Sequence, residues 1–181
     1  MADKINHLEK VVALSDALEK KGFRHVLVGG IALVILGSQR VTKDFDFLVS
    51  LQDASVDDLV EVCYKHGLEL VTKFNQQGEV LRTIENRRVA SLKLKSDLPQ
   101  SLFFFDWKTR LKVDLLLDFP LPAKDIASRS TKIKIKSRFL RVASPEDLLR
   151  LKQLAYKDRR SAADAQDLEF LNILLSGSQK L

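Results

Sequence analysis

Val26-Leu27-Val28-Gly29-Gly30, followed after one short apolar segment by Arg40-Val41-Thr42-Lys43-Asp44-Phe45-Asp46-Phe47, is the stretch whose reading decides how this chain folds. Residues 25–28 read as a short strand running into a glycine pair, residues 31–36 as a compact apolar helix ended by Gly37, and residues 40–49 as the next strand. Side chains alternate along a strand, so Arg40, Thr42, Asp44 and Asp46 are expected on one face, with Val41, Phe45 and Phe47 turned into the core. Two carboxylates at i and i+2 on one face repel each other and call for a compensating charge. A divalent cation supplies it, and oxygen-only ligands suit a hard ion such as Mg²⁺ or Mn²⁺, which completes its shell with water and substrate phosphates. Gly29 and Gly30 fit the same picture, because a residue without Cβ lets backbone N–H groups approach a phosphate at the positive end of the following helix. Singly, a Gly-Gly is more often a tight turn and an Asp-x-Asp a solvated pair; their joint occurrence around one short helix is far more specific.

Length and composition set the frame for that stretch. With 181 residues the chain suits one full domain, and its 45% hydrophobic and 30% charged content is that of an ordinary globular protein. The single cysteine, Cys63, excludes an intrachain disulfide framework and a cysteine zinc cluster. No apolar run reaches membrane-spanning length and Met1-Ala2-Asp3-Lys4 opens no signal core, so a cytoplasmic protein without membrane contact is expected. The net charge of +6 favours anionic encounters such as nucleotides, RNA or acidic partners without selecting among them. Lys132, Lys134 and Lys136 alternate with Ile133 and Ile135, which reads as a strand with one solvated cationic face or a protected edge. No aromatic residue interleaves with them along the chain, so a base-stacking platform is not expected.

Around the motif the pattern alternates helices and strands. A first helix spans about 5–20, carrying Ile5, Leu8, Val11, Val12, Leu14 and Leu18 at helical spacing. Ser55 and Asp58 open a helix that Gly67 closes. Strands are expected near 68–74, 80–84, 89–94, 102–105, 111–117, the lysine-alternating segment and 139–142, with Asp118 to Pro122 marking a chain reversal. Ser144-Pro145-Glu146-Asp147 is a strong helix start, with Ser as N-cap, Pro in the first turn and acids beside it. Two helices follow and form a hairpin, and residues 176–181 are expected to fray. The fold class is therefore α+β with a mixed sheet: residues 1–143 make the core and 144–181 a helical segment packed on it.

The glycine pair, the intervening helix and Arg40-x-Thr42-x-Asp44-Phe45-Asp46 resemble the signature of the DNA polymerase β-like nucleotidyltransferase superfamily. In detail they resemble its small prokaryotic branch of minimal nucleotidyltransferases and abortive-infection (type IV) toxins. The resemblance implies a nucleotidyltransferase fold and a third metal-binding carboxylate on a later strand. Lys112-Val113-Asp114-Leu115-Leu116-Leu117 matches that form, making Asp114 the candidate, while Asp118 is explained by a turn or capping role. It also implies that Lys152 reaches a triphosphate and that Asp167 orients it. The alternatives for that end of the chain are a solvated lysine and, at Asp164, a helix cap.

What the resemblance implies chemically is transfer of a nucleoside monophosphate from a nucleoside triphosphate to a hydroxyl. Asp44, Asp46 and Asp114 would be the catalytic, metal-holding acids for Mg²⁺ or Mn²⁺, and Gly29, Gly30, Arg40, Thr42 and Lys152 the nucleotide-binding residues. The acceptor is open: an RNA or tRNA end, a protein hydroxyl, or a small alcohol. Two other classes stay in view, a catalytically idle nucleotidyltransferase-like partner of a toxin–antitoxin pair and a metal-free RNA-binding domain whose Asp-x-Asp is incidental. The residues between Asp46 and Asp114 carry no assigned motif.

Overall fold

The computed structural model describes residues 2–178; Met1 and the tail 179–181 lie outside the described residues, as do the side chains of residues 2–6, including that of Ile5, and of Ser178. The chain runs α1 (Ala2–Lys20), β1 (His25–Val28), α2 (Gly29–Ile35), β2 (Phe45–Val49), α3 (Val56–Lys65), β3 (Glu69–Phe74) and β4 (Val80–Ile84). It continues through α4 (Arg87–Ser96), β5 (Ser101–Phe105), β6 (Lys112–Leu117), α5 (Ala123–Ser128), β7 (Thr131–Ile135), β8 (Arg138–Val142), α6 (Pro145–Arg159) and α7 (Ala162–Ser178). The eight strands form one mixed sheet in the order β4-β3-β5-β6-β2-β1-β8-β7. This is the α+β architecture with a mixed sheet and a C-terminal helical hairpin that the sequence pattern predicts.

The middle of the sheet is apolar because its strands are covered. Val26, Leu27, Phe47, Leu48, Val113 and Leu115 are all fully buried, and α2 packs over β1 and β2. Leu148 of α6 and Leu171 of α7 belong to the same apolar cluster, so the terminal hairpin is packed on the sheet domain through shared core contacts. Local signals act as expected at two helix starts. Ser55 Oγ accepts from Asp58 N at 3.1 Å, and Ser144 Oγ accepts from Asp147 N at 3.2 Å ahead of Pro145. Asp118 accepts from Ala123 N at 2.8 Å and from Ser50 Oγ at 2.9 Å, the turn role read for it.

Five readings need correction. Residues 89–94, expected as a strand, lie inside α4. The Asn86 side chain accepts from Arg88 N and Val89 N to start that helix, and helical spacing buries Ala90 and Leu94 while Val89 and Leu92 face outward. The predicted strand over 40–49 pairs only from Phe45, and residues 40–44 lead into it unpaired. Val41, assigned to the core, is 80% exposed, because its side chain points away from the face that Arg40 and Thr42 turn to Gly30, in a segment with no paired strand. The helix after β1 begins at Gly29 itself, so both glycines are in its first turn rather than in a turn before it. Helix α5 was not foreseen, and the expected fraying from Ser176 is not seen up to Ser178.

Strand β7 is the sheet edge, as its lysines suggested. Pairing with β8 sets Phe139, half exposed, directly opposite Lys134, so an aromatic does stand among the lysines, contributed by the neighbouring strand.

Candidate active site

The acids are brought together by strand register. Strand β2 pairs antiparallel with β1 and parallel with β6, and β6 pairs antiparallel with β5, so Val28, Asp46, Asp114 and Phe103 form one row across four strands. Directly opposed residues share a face, which sets the Asp46 and Asp114 carboxylates side by side with like charge. Asp44 arrives from the unpaired segment just before β2. Along that segment the alternation of exposure persists without pairing, and Arg40, Thr42, Asp44 and Asp46 all line a single cavity of about 660 Å³ with Asp114 and Lys152. The cavity lies between the sheet and the terminal hairpin, whose Leu148, Leu151 and Ala155 form its far wall. A second cavity of about 650 Å³, between the end of α1, α5 and β8, holds none of these acids.

Burial makes the acid pair electrostatically costly. Desolvation first, then repulsion from Asp44, pushes the Asp46 carboxyl up to about 6 despite the opposing Lys152, Lys112 and Arg40. Asp114 rises to about 7, through desolvation and then the Asp46 charge. Asp114 is 9% exposed, and its Oδ1 is buried with no hydrogen-bond partner, an orphaned acceptor suited to a cation. An all-oxygen set with one unsatisfied buried carboxylate oxygen fits a hard divalent ion.

One cation of the chain already answers part of that charge. The Lys112 ammonium is 3.2 Å from Asp44 Oδ2 and 3.7 Å from Asp114 Oδ2. Burial alone would lower its pKa, but Asp114 and Asp44 more than offset this and hold it above the ordinary lysine value. Among the described residues no three His, Cys, Asp or Glu side chains make a ready-made metal cage: Asp44 and Asp114 meet through Lys112. Sequence reading quoted Lys112 only as part of the strand around Asp114. The signal was present, since Lys112 and Asp114 stand at i and i+2 and therefore share a face.

The glycines have a tighter job than access for a ligand. A Cβ on Gly29, whose φ is +68°, would stand 2.0 Å from Asp46 Oδ2, and one on Gly30 would stand 3.0 Å from Thr42 Cγ2 and 3.2 Å from Arg40 Cζ. Asp46, Thr42 and Arg40 thus lie directly on the glycine turn. Arg40 in turn pairs with Asp167, which is 2% exposed, and Lys152 Nζ lies 2.7 Å from Asp167 Oδ2 and 3.2 Å from Asp164 Oδ1. The cap read at Asp164 falls instead to Ser161, whose Oγ accepts from the Asp164 backbone N–H at 3.1 Å. The two cations singled out from the sequence are therefore joined by one buried acid, in a network that ties the approach to β2 to the terminal hairpin.

A family profile described as nucleotidyl transferase AbiEii toxin, type IV TA system, matches residues 11–173. The chain belongs to the AbiEii nucleotidyltransferase family. It is a nucleotidyltransferase, with a nucleotide as substrate. Among solved structures it is similar to the lincosamide antibiotic adenylyltransferase LnuA with lincomycin bound. The two share 13% identity at a TM-score of 0.54, over 91% of this chain and 95% of that one. It is also similar to an antigenic nucleotidyltransferase-like protein from Paracoccidioides brasiliensis, with 18% identity, a TM-score of 0.50 and coverage of 91% and 75%. At these identities the likeness shows the shared fold. No curated protein matches the sequence. Among the described residues of this AbiEii-family chain, no helix is long and apolar enough to cross a membrane.

Proposed function

We propose that this AbiEii-family protein is a divalent-metal-dependent enzyme that moves a nucleoside monophosphate from a nucleoside triphosphate to a hydroxyl acceptor, as the toxin half of a cytoplasmic toxin–antitoxin or phage-defence pair. The observation that carries the reading is Asp46 set opposite Asp114 on adjacent strands, both held above the ordinary carboxylate range, with one Asp114 oxygen buried and unpartnered. A chain gains nothing structurally from such a pair, and perturbed acids lining a cavity are the mark of a working site.

In this reading Asp44, Asp46 and Asp114 hold Mg²⁺ or Mn²⁺. When bound, the ion would lower the pKa of the acceptor hydroxyl and neutralise charge on the phosphates. The chain's own groups do the rest. Backbone N–H groups of the turn at Gly29 and Gly30 face the phosphates, and Asp46 packed on that turn fixes the distance between phosphate cradle and acids. Arg40 gives one of its guanidinium donors to Asp167 and keeps the others for phosphate oxygens, while Thr42 lies next to Gly30 as Arg40 does. Lys152, oriented by Asp164 and Asp167, presents positive charge to the triphosphate from the hairpin side. Net positive charge favours an RNA or tRNA end over a protein hydroxyl or a small alcohol as acceptor.

The test is incubation with triphosphates labelled at the α- or the γ-phosphate, in the presence of a cell extract and Mg²⁺. Label from the α-position should appear on a macromolecule, and Asp46→Ala and Asp114→Asn should abolish it. Release of inorganic phosphate without α-label transfer would reject the proposal, and nuclease or protease sensitivity of the product identifies the acceptor.

A further inference from the structure

Lys112 is half-buried on β6, two residues before Asp114, and its ammonium has two kinds of neighbour. On one side are Asp44 Oδ2 at 3.2 Å and Asp114 Oδ2 at 3.7 Å. Also close to it are two aromatic faces, with the Phe74 ring centroid at 5.4 Å and that of Phe103 at 5.8 Å. These rings meet edge to face at 5.3 Å, and Phe103 stands directly across from Asp114 in the sheet. Cations within about 6 Å of an aromatic centroid are attracted to its face. The ammonium that pairs with the two acids therefore already touches two aromatic faces, so a small shift toward the rings gives it a second partner without full return to bulk water.

The position matters because a lysine between two candidate metal ligands competes with the ion they would hold. Its charge answers Asp44 and one oxygen of Asp114, while Asp114 Oδ1 stays buried without a hydrogen-bond partner. We propose that Lys112 is a resident counter-cation of the acid site: it neutralises Asp44 and Asp114 in the metal-free protein and withdraws onto the Phe74 and Phe103 faces when a divalent cation binds. This rests on the reading of Asp44, Asp46 and Asp114 as metal-holding acids. It makes Lys112 a positioning residue, with the consequence that metal entry is weakened in the free protein and Asp44 and Asp114 always have a counter-charge beside them.

The test measures Mn²⁺ affinity by titration calorimetry on the full chain without nucleotide, for wild type, Lys112→Met and Lys112→Gln, with Asp46→Asn as the control that defines the site. Removing the competing ammonium should tighten Mn²⁺ binding by at least about tenfold, as loss of a like charge within about 4 Å predicts. Lys112→Met retains the apolar stem that packs on the two rings. A merely structural lysine would leave the affinity unchanged or weaken it, and either result overturns the proposal. If Mn²⁺ binds neither wild type nor the Lys112 variants, the metal reading itself fails along with it. Binding that tightens in Lys112→Met but persists in Asp46→Asn also overturns it, because the ion would then sit elsewhere. Should neither Lys112 variant fold, acetylation of lysines in the wild-type chain is followed by mass spectrometry. Mn²⁺ should then accelerate modification of Lys112 relative to Lys132, and an unchanged ratio overturns the proposal.

Discussion

Gly29 leaves room for Asp46: any Cβ at position 29 would stand 2.0 Å from the Asp46 carboxylate oxygen. The backbone there has φ +68°, which a side chain tolerates at a cost of about 1–2 kcal/mol. Gly29→Ala should therefore lower stability by at least that amount and push the Asp46 carboxylate off its position. A displacement of about 1 Å at a reacting centre costs about a hundredfold in rate. Melting curves and initial rates of α-phosphate transfer check both effects, and an active, stable Gly29→Ala variant would show that Asp46 has another place to sit.

Asp114→Asn should stabilise the protein at neutral pH while removing activity. Because the folded-state carboxyl lies near 7, well above its ordinary 3.8, the native protein binds the proton more tightly than the unfolded chain does. Stability therefore falls as pH rises from about 4 through 7, and the asparagine variant escapes that loss. The gain above pH 7 is on the order of a few kcal/mol, reduced by the lost Lys112 pairing, and it fades below pH 4. Denaturant midpoints at pH 5 and pH 8 test this. A variant less stable than its parent at pH 8 would contradict the assigned repulsion.

Asp167 joins Arg40 and Lys152 from a fully buried position. Asp167→Ala leaves two cations short of a partner and should cost about 3 kcal/mol, with Asp167→Asn losing less. Urea unfolding gives the energies. Because the network orients both candidate phosphate-binding cations, triphosphate affinity should fall in step. A destabilised variant with unaltered nucleotide affinity would separate the fold role from the binding role.

His25 carries an acid-side effect of opposite sign. Its Nδ1 donates to the Phe23 carbonyl at 3.1 Å and its Nε2 accepts from Ser15 Oγ at 2.7 Å, the pattern of a neutral ring, and burial lowers its pKa below 6.5. That contribution is complete above about 6.5 and is lost as pH falls through the folded value. The stability advantage of wild type over His25→Gln should shrink between pH 7.5 and pH 5. A constant difference across that range would mean that burial leaves the ring's titration where it is in the unfolded chain.

The sequence by itself determined the elements with strong local signals and the residue types of the site. Alternation from Arg40 to Asp46 put four polar side chains on one face, and those four do line the cavity even though only Asp46 sits in the paired strand. Ser55, Ser144 and the lysine-bearing edge strand were equally legible, because caps and edges are written in a few adjacent residues. Residues 89–94 misled because Val89, Leu92 and Leu94 fit either period, and the tie was broken by Asn86 outside the window and by burial of Ala90 and Leu94.

Tertiary structure alone decided the rest, since it depends on which strands become neighbours. That Asp46 stands opposite Asp114, 68 residues later, follows from parallel pairing of β2 with β6. That Lys112 bridges Asp44 and Asp114, that Arg40 and Lys152 share Asp167, and that Gly29 is shaped to a protein carboxylate follow from contacts between segments with no sequence proximity. Periodicity is a property of one segment and can be read from it; register, burial and the charge felt by a carboxylate are properties of the packed whole.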